Sequence, residues 1–202
     1  MEKSWFFDNG EQYGQAELSE YFRQIYRSGV SVSDAGLMDM EVSANGTQVS
    51  VGNGFAIING FAYENSGTLS FTIESDNNYS RIDRVVLRLD LALMKISAEI
   101  KKGTAGSTPK APDLQRDSMV YELSLARVLV DVNGNITVTD ERTDVELCGA
   151  IRPRNLSEID AMIQGFQKQF ESWFNAQQAL GWRNIYIQEE TPTEAVTGSL
   201  WL

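Results

Sequence analysis

The chain has 202 residues, no histidine, one cysteine, and 17 Lys and Arg against 28 Asp and Glu, a formal charge of −11. Without histidine there is no Ser-His-Asp or Cys-His catalysis and no histidine metal ligation, while the lone Cys148 forms no intramolecular disulfide or multi-cysteine metal site and reads as a small buried hydrophobe. The acidic surplus, with basic residues mostly scattered, opposes binding to nucleic acid or anionic membranes, and no stretch approaches the ~20 apolar residues of a membrane span.

The first residues include Glu2, Trp5 and Asp8 and no long apolar run, so no secretory signal is expected and the product should be soluble and made in the cytoplasm. Leu18, Tyr21, Phe22, Ile25 and Tyr26 recur at helical spacing, which predicts a short amphipathic helix packing on a sheet by its aromatic face, with Gly29 as the stop.

From Leu37 the period becomes two. Asn45-Gly46 suits a two-residue I′ turn, placing Ala44 opposite Thr47, Val42 opposite Val49 and Met40 opposite Val51. Asn59-Gly60 predicts a second hairpin, with Ile58 facing Phe61 and Ala56 facing Tyr63. Asn133-Gly134 is a third candidate, pairing Leu129 with Val138 and Asp131 with Ile136. Leu69, Phe71 and Ile73 alternate, as do Val85, Leu87 and Leu89 within Arg81 to Leu91 and Ile96, Ala98 and Ile100 within Met94 to Lys101. Val120 to Val130 fits both periods, and its sheet neighbours favour a buried strand. Gly103 to Pro112 reads as an exposed loop.

These short, turn-bounded runs predict a mainly β fold with helices (α+β), built as an antiparallel β-sandwich or partly closed barrel after a short N-terminal helix. Arg152-Pro153-Arg154 marks a boundary. Beyond it, Ser157 as N-cap and Gly181 as stop bracket a long amphipathic helix of roughly 36 Å. A short C-terminal β segment follows, from Ile185, Tyr186 and Ile187 past Pro192 to Leu200-Trp201-Leu202. The expected division is therefore 1–152 as the β domain, 153–181 as the helix and 182–202 as the terminal segment.

At about 100° per residue, Ile159, Met162, Ile163, Phe166, Phe170, Trp173, Phe174 and Leu180 fall within an arc of about 120°. Such a stripe has to be covered by the chain's own sheet, by another copy or by a partner subunit, and Gln177 within it suits a polar, register-setting contact. The first seven of these, with the apolar chain end at Trp201, form the candidate partner-binding surface. No catalytic, cofactor-binding or metal-binding residue is assigned, and the chain is expected not to be an enzyme.

Other clusters have plainer explanations beside functional ones. Asp131 to Asn135 superficially suggests a calcium loop, but its glycine is fourth, where an EF-hand needs it sixth, so a hairpin turn is favoured. Asp140, Glu141, Arg142 and Asp144 form either a paired-carboxylate site or a local ion-pair network, with Arg142 suited to bidentate pairing. Arg81, Asp83, Arg84, Arg88 and Asp90 read as the polar side of a half-buried strand. Trp5, Trp173, Trp182 and Trp201 can stack on sugar rings or fill interfaces.

Several stretches in order resemble a known family. They are Trp5-Phe6-Phe7-Asp8, Val49-Ser50-Val51-Gly52, Gly54-Phe55-Ala56-Ile57-Ile58-Asn59-Gly60 and Arg81-Ile82-Asp83-Arg84-Val85-Val86-Leu87-Arg88-Leu89-Asp90. Gly103-Thr104, Tyr121-Glu122-Leu123-Ser124-Leu125-Ala126, Asp140-Glu141-Arg142-Thr143-Asp144 and Cys148-Gly149 follow. Together they resemble the N-terminal region of baseplate and receptor-binding-complex proteins of tailed phages of Gram-positive bacteria, or of related phage-tail-like particles. The resemblance implies a virion tail component, with other tail or baseplate proteins as partners and a homotrimer as the usual assembly. Family members commonly run on into longer receptor-binding regions, so a connector is favoured here over an adhesin for a host-surface glycan, with a tail-associated glycan hydrolase behind both.

Overall fold

The computed structural model describes residues 14–76, 78–154, 157–179, 185–186, 190, 193 and 200–201. The Trp5 to Asp8 motif, Leu180, Gly181, Trp182, Ile187, Pro192 and Leu202 lie outside them, as do the side chains of Gln177 and Trp201. The chain divides into two compact units, Met1–Arg154 and Asn155–Leu202.

The first unit is α+β, dominated by antiparallel sheets. Helix α1 (Gln15–Ile25) opens where the amide of Gly14 donates to Glu17 Oε2 at 3.0 Å. It ends when Tyr26 turns extended, so Gly29 is not its stop. Instead Gly29 lies where strand β2 (Gly29–Val30) meets Gly149 and Ala150, and any Cβ there would collide with their backbone. The helix also does not bury the aromatic face expected of it. Leu18 and Tyr21 are exposed, Phe22 rings pack against Tyr21 and Tyr26, and only Ser19 is buried. Its main chain lies so close to Gly60 that a small inward residue is what the approach permits.

Strand β1 (Tyr26–Arg27) pairs with β12 (Arg152–Pro153), tying the start of the unit to its end. Three open sheets make up the rest. One runs β3 (Val42–Asn45), β4 (Gln48–Val51), β7 (Leu69–Thr72), and a second runs β2, β5 (Gly54–Ile58), β6 (Phe61–Asn65). The third has the order β11 (Ile136–Asp140), β10 (Val120–Val130), β8 (Arg81–Asp90), β9 (Lys95–Lys101), and among the described residues no sheet closes into a barrel. All three contribute to one core around Val30, Met40, Val49, Ile58, Leu87 and Leu125.

The β5–β6 register agrees with the sequence, with Ile58 opposite Phe61 and Ala56 opposite Tyr63. Asn59 and Gly60 both have positive φ, 49° and 83°, as an I′ turn requires. At the first hairpin Gly46 alone is left-handed, so the turn becomes Gly46-Thr47, the glycine-first II′ arrangement. Its pairs are therefore Val42 with Val51 and Ala44 with Val49, two residues from the expected register. Met40, with φ of 60°, leaves the strand altogether and bonds to the Asn53 carbonyl. A two-residue slip keeps each side chain on its face.

The third hairpin is a three-residue loop closed by Asp131, whose Oδ1 accepts the amides of Asn133 and Asn135 at 2.8 Å. Left-handed Gly134 then moves the register by one, to Val128 opposite Val138.

In the second unit, helix α2 (Ser157–Ala179) is followed by β13 (Ile185–Tyr186) and β14 (Leu200–Trp201), which pair in parallel. The apolar segment near the chain end is thus tied into a sheet, as its composition suggested.

Candidate functional site: an exposed apolar helix face and a scaffold of buried charge

The four-stranded sheet buries charge as well as hydrocarbon. Arg81, Asp83 and Arg84 on β8 are buried, contrary to their reading as the polar side of a half-buried strand. They are paired: Arg81 Nε reaches Asp83 at 2.9 and 3.1 Å, Arg81 Nη2 meets the Glu74 carbonyl, and the Gly103 amide donates to Asp83 Oδ1 at 2.8 Å. Arg81 and Asp83 alternate in phase with the core residues Val85, Leu87 and Leu89, whereas Arg84 lies on the other face and meets Glu141.

Glu122 on β10 lies between Arg88 Nη1 at 2.6 Å and Lys101 Nζ at 2.7 Å, and accepts the Gln115 amide at 2.6 Å. Burial pushes its carboxyl up, but these three donors outweigh that and hold it below the usual carboxylate range. Glu141 takes Arg127 Nε at 2.7 Å and the Ser124 hydroxyl at 2.5 Å. Arg84 Nε lies 3.4 Å from it, within ion-pair range but unaligned for a hydrogen bond.

The knot at 140–144 is an ion-pair network. Arg142 grips Asp140 through Nε and Nη2 at 2.9 and 2.7 Å, and its Nη1 caps the carbonyls of Met38 and Asp39. That guanidinium holds the Asp140 carboxyl low. Cys148 is buried, and burial pushes its thiol up to about 12, so it stays protonated. Among the described residues, no group of His, Cys, Asp and Glu is arranged to hold a metal ion. Nor is any described helix long and apolar enough to cross a membrane.

The sequence matches no family model and no curated protein. Among solved structures it is similar to the gene 22 product of the Bacillus subtilis phage SPP1, at 17% identity and a TM-score of 0.38, over 58% of this chain and 87% of that one. That likeness is too loose to transfer a role.

The apolar stripe of α2 is present on the helix and largely exposed. Relative exposure is 46% at Ile159, 54% at Met162, 55% at Ile163, 62% at Phe166, 61% at Phe170 and 56% at Trp173. Phe174 is half-buried, its ring stacked on Phe170 at 6.0 Å, while Trp173 tilts against Phe170 at 5.8 Å. The helix thus brings seven of the eight candidate partner-binding residues onto one surface. Trp201 lies on β14, paired with Tyr186 of β13.

The stripe has a finer period. Ile159, Ile163, Phe166, Phe170 and Trp173 follow alternating steps of four and three, and the next two such positions in the sequence are Gln177 and Leu180. This is the spacing of a coiled-coil seam, with one polar residue among apolar ones.

A second grouping is absent from the sequence reading, which treated the basic residues as scattered. Arg27, Arg116, Arg152 and Arg154 line one cavity of about 270 Å³ in the first unit, and among the described residues its lining includes no Asp or Glu. The grouping is invisible in sequence because β1 and β12, 125 positions apart in the register pair Arg27 to Arg152, meet only in the fold.

Proposed function

We propose that this chain is a structural connector of a phage tail baseplate or phage-tail-like particle, with the first unit attaching to the tail and α2 joining copies of the subunit. The observation that carries the proposal is the exposed seam on α2. An apolar side chain gains roughly 1.5–3 kcal/mol when fully buried, so Phe166, Phe170 and Trp173 together sustain association after ordering costs. The ordered motifs that resemble baseplate proteins supply the virion setting. The buried carboxylates are taken up by cations and main-chain donors, an arrangement suited to rigidity, and the proposal includes no catalysis.

The test is Phe166→Ala with Phe170→Ala in the full chain, followed by sedimentation velocity and thermal melting. The proposal expects wild type to self-associate, the variant to dissociate, and the melting of the β unit to change little. A wild-type chain that stays monomeric at every concentration and binds no tail protein overturns it.

A further inference from the structure

The arginine-lined cavity stands out against the electrostatics of the rest of the chain. Arg23, Arg81, Arg84, Arg88, Arg127 and Arg142 each have a carboxylate within ion-pair distance. Among the described residues, Arg27, Arg116 and Arg154 have none, although acidic residues outnumber basic ones by 28 to 17. These three gather around the same cavity, together with Arg152.

Two of them are held by main-chain bonds. Arg116 donates to the carbonyls of Glu122, Glu146 and Leu147 at 3.0, 2.7 and 2.8 Å, and its guanidinium lies 5.0 Å from the centre of the Tyr121 ring. Arg154 Nε donates to the Arg23 carbonyl at 2.6 Å. Carbonyls orient a guanidinium without cancelling its charge. Arg27 and Arg152 are direct cross-strand partners on β1 and β12, which brings Arg27 to the cavity. The positive charge of Arg27, Arg116 and Arg154, faced by no described carboxylate, is complemented by an incoming anion.

We infer that this cavity is an oxyanion-binding site whose ligand is a pair of neighbouring carboxylates on an acidic segment of an adjoining protein subunit. At about 270 Å³ the space exceeds what one small ion fills, since a water occupies about 30 Å³. Tyr121 and Val145 supply the apolar part of the wall. Against the chain's net charge of −11 the cavity is a local positive feature, so an acidic segment is recognised at contact range by the arginines themselves and not by long-range attraction to the whole chain. Arginine forks also match carboxylates two bonds at a time. The inference rests on the charge geometry of the first unit and does not depend on the seam of α2.

Calorimetric titration of the full chain with hexaglutamate tests it, with hexaglutamine, inorganic phosphate and polygalacturonate as separate arms. Hexaglutamate is expected to bind, more weakly as salt rises, while hexaglutamine does not. Arg27→Gln with Arg154→Gln is expected to weaken binding by about tenfold or more. Because Arg154 also bonds the Arg23 carbonyl, Arg27→Glu alone serves as the second variant; its parent side chain has no ion-pair partner among the described residues, and it is expected to lower binding without lowering the melting temperature. Absence of hexaglutamate binding, or binding that neither variant alters, overturns the inference. Phosphate binding without peptide binding identifies an inorganic-ion site and overturns the assignment to a protein segment, as does polygalacturonate binding in preference to the peptide.

Discussion

Glu122→Gln removes one negative charge from a position where two cations and an amide converge, and leaves the shape nearly unchanged. In the wild type the Glu122 side chain is 2% exposed, between Arg88 at 2.6 Å and Lys101 at 2.7 Å. Removing one member of a buried pair costs about 3–5 kcal/mol. Here the two cations keep 23% and 29% exposure, so water screens part of the loss, and about 2–3 kcal/mol is the reasoned figure. For a unit of this size that lowers the melting temperature by roughly 4–12 °C. The pH dependence has a definite sign. The folded carboxyl is held below its ordinary value, so its contribution is present above the unfolded pKa of about 4.3 and is lost as pH falls through the lower folded value. Wild type should therefore lose more stability than the variant between neutral pH and the acid range, and the two melting curves should converge on acidification. Circular dichroism melts of both proteins across that range supply the measurement. Equal melting at neutral pH, or a gap that persists below the folded pKa, would refute the view that Glu122 stabilises the sheet as a carboxylate.

Two further expectations concern the first unit. Gly60→Ala forces a side chain into a left-handed residue against the Ser19 main chain, and should cost at least about 2 kcal/mol, read as a shifted denaturant midpoint with an unchanged slope. Cys148 should resist a thiol-specific reagent in the native protein at pH 8 and react fully once denaturant is added, because burial keeps its proton up to about 12. Since an unfolded thiol ionises near ~8.5, this group makes stability fall as pH rises above that value.

The sequence was most informative where one residue's backbone preference decided the geometry. Asn59-Gly60 supplies two left-handed residues in a row, and the register of β5 and β6 follows from them. Asn45-Gly46 contains the same pair of residues, yet only its glycine is left-handed, so the hairpin slips by two while its faces remain as expected. In β10 the double period has a structural cause. A bulge between Ser124 and Ala126 shifts the inward set from Leu123 and Leu125 to Val128 and Val130, and the step of three across it mimics helical spacing. The buried charges of β8 were misread because Arg81 and Asp83, although in phase with Val85, Leu87 and Leu89, are charged, and their burial depends on the pairing they make with each other. The seam of α2 was legible because its period is entirely local, whereas the arginine cavity depends on strands brought together from opposite ends of the unit.

That junction of β1 with β12 also bears on how the protein is made. Arg154 donates to the carbonyl of Arg23, 131 positions away, and Arg142 grips the carbonyls of Met38 and Asp39 over 104 and 103 positions. Contacts so remote in sequence delay folding, because the loop must close before they form. On the ribosome, hairpins such as β5–β6 have their partners within a few residues and can assemble early. The pairing of β1 has to wait until Arg152 has emerged, so the unit becomes fully stable late in synthesis. The arginine cavity is completed in that same last step. The anion-binding capacity inferred for it therefore arises only once the β unit has closed, a built-in timer that withholds this surface from chains whose β unit is unfinished.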